Sequence, residues 1–251
     1  MVPTRLSVPV VVAALALAGS VWAAPPYHAL ELAPEGTVYF VDLPRSRLLR
    51  LYGSELVVLS GLEGVPGGDH LQNLVWTHSG ELYLGDKKSV WRIGEDGTVE
   101  AATPPSELKY LFARRPADLA PDGSIYVARD FRTLERSLPG GDAHPVPTND
   151  RIGRIQSMTV TPRGQIYLGN RSGLVKLSPD GTVNILLDSD GSTILGLAAE
   201  NDDSVLLLRL DNAGSINLVR IDSQGESEVI LSADQIAAAT VSESGTEVSQ
   251  Q

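Results

Sequence analysis

A unit of about forty residues recurs along this chain, and its clearest copy runs from Ser157 to Leu187. The copy holds four short runs of strand-forming residues, separated by three turns rich in glycine, proline, asparagine and aspartate. Four antiparallel strands in about forty residues make one blade of a β-propeller, whose blades radiate around a central channel. The repeat therefore predicts an all-β propeller of four-stranded blades.

Three positions of the repeat agree in almost every copy. The turn after the first strand carries Gly36, Gly80, Gly123 and Gly164, with Asp203 in the fifth copy. The second strand carries Tyr39, Tyr83, Tyr126 and Tyr167, with Leu206 in the fifth copy. The third strand carries Arg50, Arg92, Arg136, Lys176 and Arg220. We interpret the glycines as tight-turn residues with positive φ, the tyrosines as packing between blades, and the basic residues as lying on solvated blade surface.

Five full copies assign residues 24–231 to the propeller, and no linker divides them. Residues 232–251 have two interpretations. Ala239–Val248 fits the first two strands of a sixth copy, which would give a six-bladed type with an incomplete sixth blade. The alternative is a five-bladed propeller followed by a polar tail, since this segment lacks the repeat tyrosine. Ala233–Ala239 is the one further segment whose pattern suggests a helix.

The first 23 residues have the pattern of a secretory signal peptide. Arg5 supplies the positive start, Val8–Ala18 the apolar core, and Val21–Ala23 the small-residue cleavage site. The apolar run is too short to span a bilayer, so we expect no membrane span after cleavage. The chain has no cysteine, which excludes disulfides and thiolate chemistry. We expect an exported monomer, either periplasmic or extracellular.

Two propeller families share this pattern. The sequence glycine, two residues, tyrosine, two residues, acid, followed by a basic residue on the third strand, resembles NHL repeats across roughly residues 27–231. Tyr39–Pro44 resembles the first blade of the gluconolactonase-like (senescence marker protein) family. Arg115–Gly123 resembles the substrate-side segment of that same family. Both resemblances imply a propeller of the six-bladed type.

The second resemblance also implies a lactonase site, with a divalent metal held by a glutamate, an asparagine and an aspartate, and an arginine and an asparagine beside the substrate. Arg115 matches the arginine, but Ala117 replaces the substrate-side asparagine. The metal positions fall near Tyr27 or His28, near Gln156 or Ser157, and near Leu195–Leu197, and none carries the expected ligand. A hard cation needs several converging oxygen ligands. We therefore expect no metal and no cofactor, and the balance is against an enzyme.

Charge is distributed unevenly between the two predicted faces. The turns after the first and third strands are acidic, whereas loops after the second and fourth strands of the middle blades are basic. The basic residues, here called the basic sector, are Lys87, Lys88, Arg114, Arg115, Arg129, Arg132, Arg151, Arg154 and Arg171. Such a patch attracts anions, although local pairing with Asp86, Glu107, Asp130 and Asp150 is the alternative explanation.

The leading functional hypothesis is a non-catalytic binding module whose basic sector holds an anionic protein, glycan or envelope polymer. The alternatives are a gluconolactonase-like hydrolase with a rearranged site and a structural or assembly propeller. The net charge of −11 makes nucleic acid an unexpected partner.

Overall fold

The computed structural model describes residues 29–62, 73–85, 88–105, 108, 111–112, 115–148, 152–171, 173–188 and 190–240. The predicted signal peptide, residues 1–23, lies outside these residues. Among the residues that are described, no helix is long and apolar enough to cross a membrane.

Five sheets of four antiparallel strands make up the fold, and each sheet is a meander of consecutive strands. Blade one holds β1 Leu30–Leu32, β2 Val38–Asp42, β3 Arg47–Tyr52 and β4 Glu55–Gly61; blade two holds β5 Asn73–Trp76, β6 Leu82–Gly85, β7 Val90–Ile93 and β8 Val99–Ala102. Blade three holds β9 Ala117–Leu119, β10 Ile125–Arg129, β11 Thr133–Ser137 and β12 Ala143–Val146. Blade four holds β13 Ile155–Val160, β14 Ile166–Asn170, β15 Gly173–Leu177 and β16 Val183–Asp188; blade five holds β17 Thr193–Ala199, β18 Ser204–Leu210, β19 Ile216–Asp222 and β20 Ser227–Leu231. The prediction of an all-β propeller is confirmed, and the described residues form five blades, as the five-bladed alternative had it.

The four repeat glycines occupy equivalent turns. Gly36, Gly80, Gly123 and Gly164 have φ values of 89, 82, 81 and 77°. Each donates its backbone N–H to the carbonyl three residues earlier, at 2.9 or 3.0 Å. These φ values lie in the left-handed region, where glycine has no steric penalty, so the repeat glycine follows from the turn itself.

The first strand of each blade is the innermost one: β1 contacts β5 and β17, and β13 contacts β9 and β17. Side chains on two of these strands bond the backbone of the next blade. Asp118 accepts a hydrogen bond from the Val160 N–H at 2.7 Å, and Thr159 accepts one from the Ala199 N–H at 3.1 Å. Asp118 and Thr159 occupy the same position of the repeat, five residues before the turn glycine. The side chain at this position therefore joins a blade to the next one in both cases.

Blades two and three are joined through the segment between them. Leu108, Leu111 and Phe112 of that segment are buried together with Val75 of blade two and Ala117 of blade three. The segment therefore fills the space between these blades with apolar side chains, which removes their surface from water.

The ring closes where blade five meets blade one. The Ala29 N–H donates to the Leu195 carbonyl at 3.2 Å. Gly196 allows this approach, because a Cβ at that position would lie 2.8 Å from both the backbone nitrogen and the Cβ of Leu30. Real Cβ atoms do not come so close to backbone, so a larger residue would push β17 away from β1.

Residues 232–240, here called the C-terminal clasp, connect blade five back to blade one. The helix α1 covers Ala233–Ala238, as the pattern predicted, and a capping box formed by Ser232 and Gln235 begins it. After the helix, the Thr240 carbonyl accepts a hydrogen bond from the Val58 N–H on the outer strand of blade one, at 2.9 Å. Residues 232–240 therefore pack against blade one, and the two interpretations of residues 232–251, a polar tail or a partial sixth blade, stay predictions.

A buried carboxylate anchors the clasp. The Arg47 guanidinium donates to the Ile236 carbonyl at 2.9 Å and to the Ala239 carbonyl at 3.0 Å. The same guanidinium donates to the fully buried Asp42 carboxylate, at 2.6 Å through its terminal nitrogen. Arg47 thus satisfies the C-terminal carbonyls of α1 and neutralises Asp42. From residue 241 onward, the predicted sixth copy lies outside the described residues.

Candidate functional site

The described members of the basic sector lie on one face of the propeller. Six of them are described: Lys88, Arg115, Arg129, Arg132, Arg154 and Arg171. Arg129 ends the second strand β10, and the other five lie in a loop after a second strand or just before a first strand; these positions share one edge of every blade. All six are exposed. Lys87, Arg114 and Arg151 lie outside the described residues.

The turn between β10 and β11 has an unusual backbone. Asp130 and Phe131 are consecutive non-glycine residues with φ values of 51 and 60°. The Arg132 N–H closes the turn by donating to the Arg129 carbonyl at 3.1 Å. Two-residue turns of this kind normally use asparagine or glycine, and a bulky residue in the left-handed region is strained by about 1–3 kcal/mol. The turn places Arg129 and Arg132 on either side of Asp130 and Phe131 at this edge of the blade.

Contacts from the next blade hold the strained turn. The Phe131 carbonyl accepts a hydrogen bond from the Ile155 N–H at 2.8 Å. The guanidinium carbon of Arg154 lies 4.5 Å from the centroid of the Phe131 ring. A guanidinium stacked on an aromatic ring gains about 0.5–1 kcal/mol at an exposed site and keeps its N–H groups free at the ring edge. The two arginine-bearing loops therefore form one connected surface.

Local pairing accounts for Arg129 of the basic sector. Arg129 makes an ion pair with Glu135 at 3.0 Å. By contrast, Arg115, Arg132 and Arg171 make no ion pair or side-chain hydrogen bond with any residue in the described part of the chain. Asp130 lies among them and makes no ion pair with a described residue either. The described cations of this face therefore exceed the acids that neutralise them.

The opposite face differs, because most of its third-strand cations contact a turn that carries an acidic residue, with Arg50 of blade one as the exception among the described residues. The tyrosine and the basic residue of the repeat are cross-strand neighbours, as Tyr126 and Arg136 show. Arg136 lies 5.6 Å from the Tyr126 ring centroid and binds Asp122 of the turn at 2.5 Å. The corresponding partners are Arg92 with Glu81, Lys176 with the Asp202 carbonyl, and Arg220 with Glu200. The interpretation of this basic column as merely solvated surface was therefore incomplete.

These contacts shift the pKa values of the groups involved. The Arg220 guanidinium and the Ser204 hydroxyl bond Glu200 and hold the pKa of its carboxyl below its usual range. The Ser124 hydroxyl and N–H lower the pKa of Asp122, with a further contribution from Arg136. Burial, together with the nearby carboxylates Asp203 and Asp202, raises the pKa of Tyr167 to about 12. The acidic turns therefore keep their negative charge well below neutral pH.

The predicted metal position near Tyr27 or His28 lies outside the described residues, and the described innermost strands do not supply the donor set of a lactonase. Ala117 begins β9 and is buried, and Leu195 lies buried in β17. Ser157 in β13 is buried, and its hydroxyl is one oxygen where a divalent cation needs several. Among the described residues, no group of three or more histidine, aspartate or glutamate side chains converges to hold a metal. The residues present therefore do not fit the metal that the resemblance implies.

Solved structures with a similar fold include a gluconolactonase from Xanthomonas campestris, at 13% identity with a TM-score of 0.48, over 74% of this chain and 84% of that one. A regucalcin from Agrobacterium tumefaciens, described as a calcium-binding protein, is similar at 13% identity and a TM-score of 0.42, over 81% and 74% of the two chains. Virginiamycin B lyase from Staphylococcus aureus is similar at 12% identity and a TM-score of 0.40, over 84% and 87%.

Gluconolactonase-like propellers are therefore among the structural neighbours of this chain. At such identities the similarity concerns the fold alone and carries nothing about activity. No protein-family model matches the chain, and no curated protein is similar enough to match it.

The strained turn is the feature that sequence reasoning missed. Arg129–Arg132 places one aromatic residue among three charged ones in a two-residue turn that lacks glycine. That combination is the signal that could have revealed it, since an apolar ring in a polar turn requires a partner. The partner, Arg154, comes from the following blade, and no spacing rule of the repeat predicts this contact.

Proposed function

We propose that this protein is an exported, non-catalytic β-propeller that binds an anionic partner through its basic sector. The observation that carries the proposal is the contrast between the two faces. Arg115, Arg132 and Arg171 have no acidic partner among the described residues, whereas on the opposite face Arg92, Arg136 and Arg220 are paired with turn acids. Exposed cations without counter-charges attract anions, because water and salt ions are then their only neutralising neighbours.

The chemistry of the sector favours oxyanions. Arginine presents planar, forked donors that match carboxylate, sulfate and phosphate groups, and arginines predominate in the sector. The Phe131–Arg154 stack and the strained turn fix part of this surface before any partner arrives. A surface that is already ordered loses less conformational entropy on binding, which strengthens the complex.

The location of the protein is part of the proposal. The N-terminal 23 residues supply the three parts of a secretory signal, and the absence of cysteine suits a chain that needs no disulfide after export. An exported propeller would meet acidic proteins, acidic glycans and phosphate-bearing envelope polymers. These partners share oxyanion groups, so one sector can recognise any of them by the same contacts.

Binding to three labelled polyanions tests the proposal and separates the sources of the oxyanion. Poly-L-glutamate represents an acidic protein, heparin an acidic glycan, and polyphosphate a phosphate-bearing polymer, with neutral dextran as the control. We expect fluorescence anisotropy to rise with at least one polyanion at low salt and to fall as salt approaches 1 M, where the Debye length is about 3 Å. The polyanion that binds most tightly identifies the class of partner. If none of the three binds at low salt, the proposed function is wrong.

A further inference from the structure

A groove between blades one and two lies on the acidic face, away from the basic sector. The groove, here called the blade-one groove, encloses about 330 Å³. Its lining includes Glu35, Tyr39, Arg50, Tyr52, Trp76 and Glu95. This volume is near the lower end of the roughly 300–1,000 Å³ that ligand pockets have, and is therefore suited to a small ligand or one unit of a larger one.

The third-strand arginine of the blade-one groove lacks the ion pairs that its counterpart in blade two makes. Arg50 is the cross-strand neighbour of Tyr39, as Arg92 is of Tyr83 in blade two. Arg92 pairs with Glu81 at 3.7 Å and with Glu100 at 3.0 Å. Among the described residues Arg50 has no such pair, although several glutamates line the same groove.

The acids of the blade-one groove are likewise without an ion pair. Glu35, Glu55 and Glu95 are exposed, and none of them makes an ion pair with a residue in the described part of the chain. The guanidinium of Arg50 and these carboxylates therefore line one groove without an ion pair between them, whereas the equivalent arginines of blades three and five pair with turn acids.

The aromatic residues of the groove also depart from the repeat. In blades three and four the repeat tyrosine lies beneath the third-strand cation, 5.6 and 5.5 Å from it. Tyr39 instead stacks on Trp76 of blade two, with ring centroids 5.4 Å apart and an interplanar angle of 15°. Trp76 is half-buried, and Tyr52 is 59% exposed. The groove thus offers aromatic surface beside polar groups.

We propose that the blade-one groove binds a neutral carbohydrate. A sugar ring has an apolar face that packs on aromatic side chains and hydroxyl groups that both donate and accept hydrogen bonds. Carboxylates accept from such hydroxyls, and a guanidinium donates to them. The three glutamates outnumber Arg50 and disfavour an anionic ligand, whereas a guanidinium donor beside carboxylate acceptors matches hydroxyl groups, which both donate and accept hydrogen bonds.

Tryptophan fluorescence measures this binding, because Trp76 lines the groove whereas Trp91 is buried at 6% exposure. The probes are neutral tetrasaccharides of glucose, mannose, xylose and N-acetylglucosamine, with spermine as a cationic probe and heparin as an anionic one. We expect a saturable change in emission with at least one neutral tetrasaccharide. Salt should leave its affinity almost unchanged, because no net charge is paired.

The repeat supplies a matched control for the site. Arg50→Gln should weaken tetrasaccharide binding by about tenfold or more, since a charged hydrogen bond is lost. Arg92→Gln removes the same charge from the equivalent position of blade two and should leave the affinity within about twofold. Tyr52→Ala should also weaken binding. The melting temperatures of Arg50→Gln and Tyr52→Ala are compared with that of the wild type, and we expect them to be unchanged.

Three results would overturn the carbohydrate proposal. In the first, no neutral tetrasaccharide changes the tryptophan emission. In the second, only spermine or only heparin binds at this groove. In the third, Arg50→Gln and Arg92→Gln lose the same amount of affinity. None of these results bears on polyanion binding at the basic sector, which lies on the opposite face.

Discussion

The guanidinium carbon of Arg154 lies 4.5 Å from the centroid of the Phe131 ring, and this contact joins blades three and four at the basic sector. Phe131 is held with φ at 60°, a conformation that bulky residues rarely adopt. The Ile155 N–H bonds the carbonyl of the same residue. The stack and the hydrogen bond therefore maintain a strained turn at the face that we propose binds the partner.

At Phe131, substitution by glycine should destabilise the protein less than substitution by alanine, which is the reverse of the usual order. At most positions a protein with glycine is less stable than one with alanine. At positive φ, however, the Cβ of alanine costs about 1–2 kcal/mol of stability, and glycine has no such cost. We expect Phe131→Gly to be more stable than Phe131→Ala by about 1 kcal/mol. Urea denaturation of the two variants measures the difference. An alanine variant of equal or greater stability would show that the turn is not strained.

Arg47 should be the most sensitive residue of the C-terminal clasp. Arg47→Met leaves the buried Asp42 carboxylate without its closest cation and the last α1 carbonyls without donors. Removing one partner of a buried pair costs about 3–5 kcal/mol, so we expect a loss of about 3 kcal/mol or more in urea denaturation.

Arg45→Met is the matched control for the clasp. Arg45 also approaches Asp42, but at 3.4 Å and with a side chain that is 44% exposed, so its loss should cost less than about 1 kcal/mol. Adding Asp42→Asn to Arg47→Met should recover part of the stability, because no buried charge is then left unpaired. Equal losses for Arg45→Met and Arg47→Met would contradict the role of the clasp.

Closure of the ring should depend on the small size of Gly196. Gly196→Ala places a Cβ against the Leu30 backbone, and we expect it to lower the free energy of unfolding by about 1–3 kcal/mol. Gly61→Ala is the control, because a Cβ there meets no atom within 4 Å and the expected change is below about 0.5 kcal/mol. Thermal unfolding of both variants checks this, and a Gly196→Ala protein as stable as the control would argue against tight packing of β17 on β1.

Glu200 should make stability depend on pH in the acidic range. Arg220 and Ser204 lower the pKa of this carboxyl below its ordinary value of 4.5. Stabilisation by Glu200 is therefore fully present above about pH 4.5 and is lost as the pH falls through the lower folded-state pKa. The difference in unfolding free energy between the wild type and Glu200→Gln should shrink over that interval.

Glu228 provides the comparison for Glu200. It bonds the same guanidinium at 2.7 Å, but its side chain is 65% exposed, whereas that of Glu200 is 28% exposed. We expect Glu228→Gln to alter the acid limb of the stability profile less than Glu200→Gln does, because water screens an exposed pair. The opposite ranking would show that Glu200 is not the stabilising partner.

The repeat made the fold predictable, because turn glycines such as Gly123 recur wherever a hairpin needs positive φ. The site was less predictable. Arg154 meets Phe131 through contact between blades, and Arg47 meets Ala239 across almost the whole chain, so neither contact leaves a local pattern. The blade number was also ambiguous, since Ala239–Val248 resembled a sixth copy, whereas the helix of the clasp, Ala233–Ala238, precedes that segment.

The most direct test of the central claim compares two triple variants with equal charge changes. The first changes Arg132, Arg154 and Arg171 to glutamine on the basic sector. The second changes Arg92, Arg136 and Arg163, which are paired with acids on the opposite face, to glutamine. Affinity for the polyanion that the wild type binds most tightly is measured by anisotropy at low salt. We predict that the first variant loses most of its affinity while the second keeps nearly all of it. Equal affinity in the two variants would contradict a binding site at the basic sector.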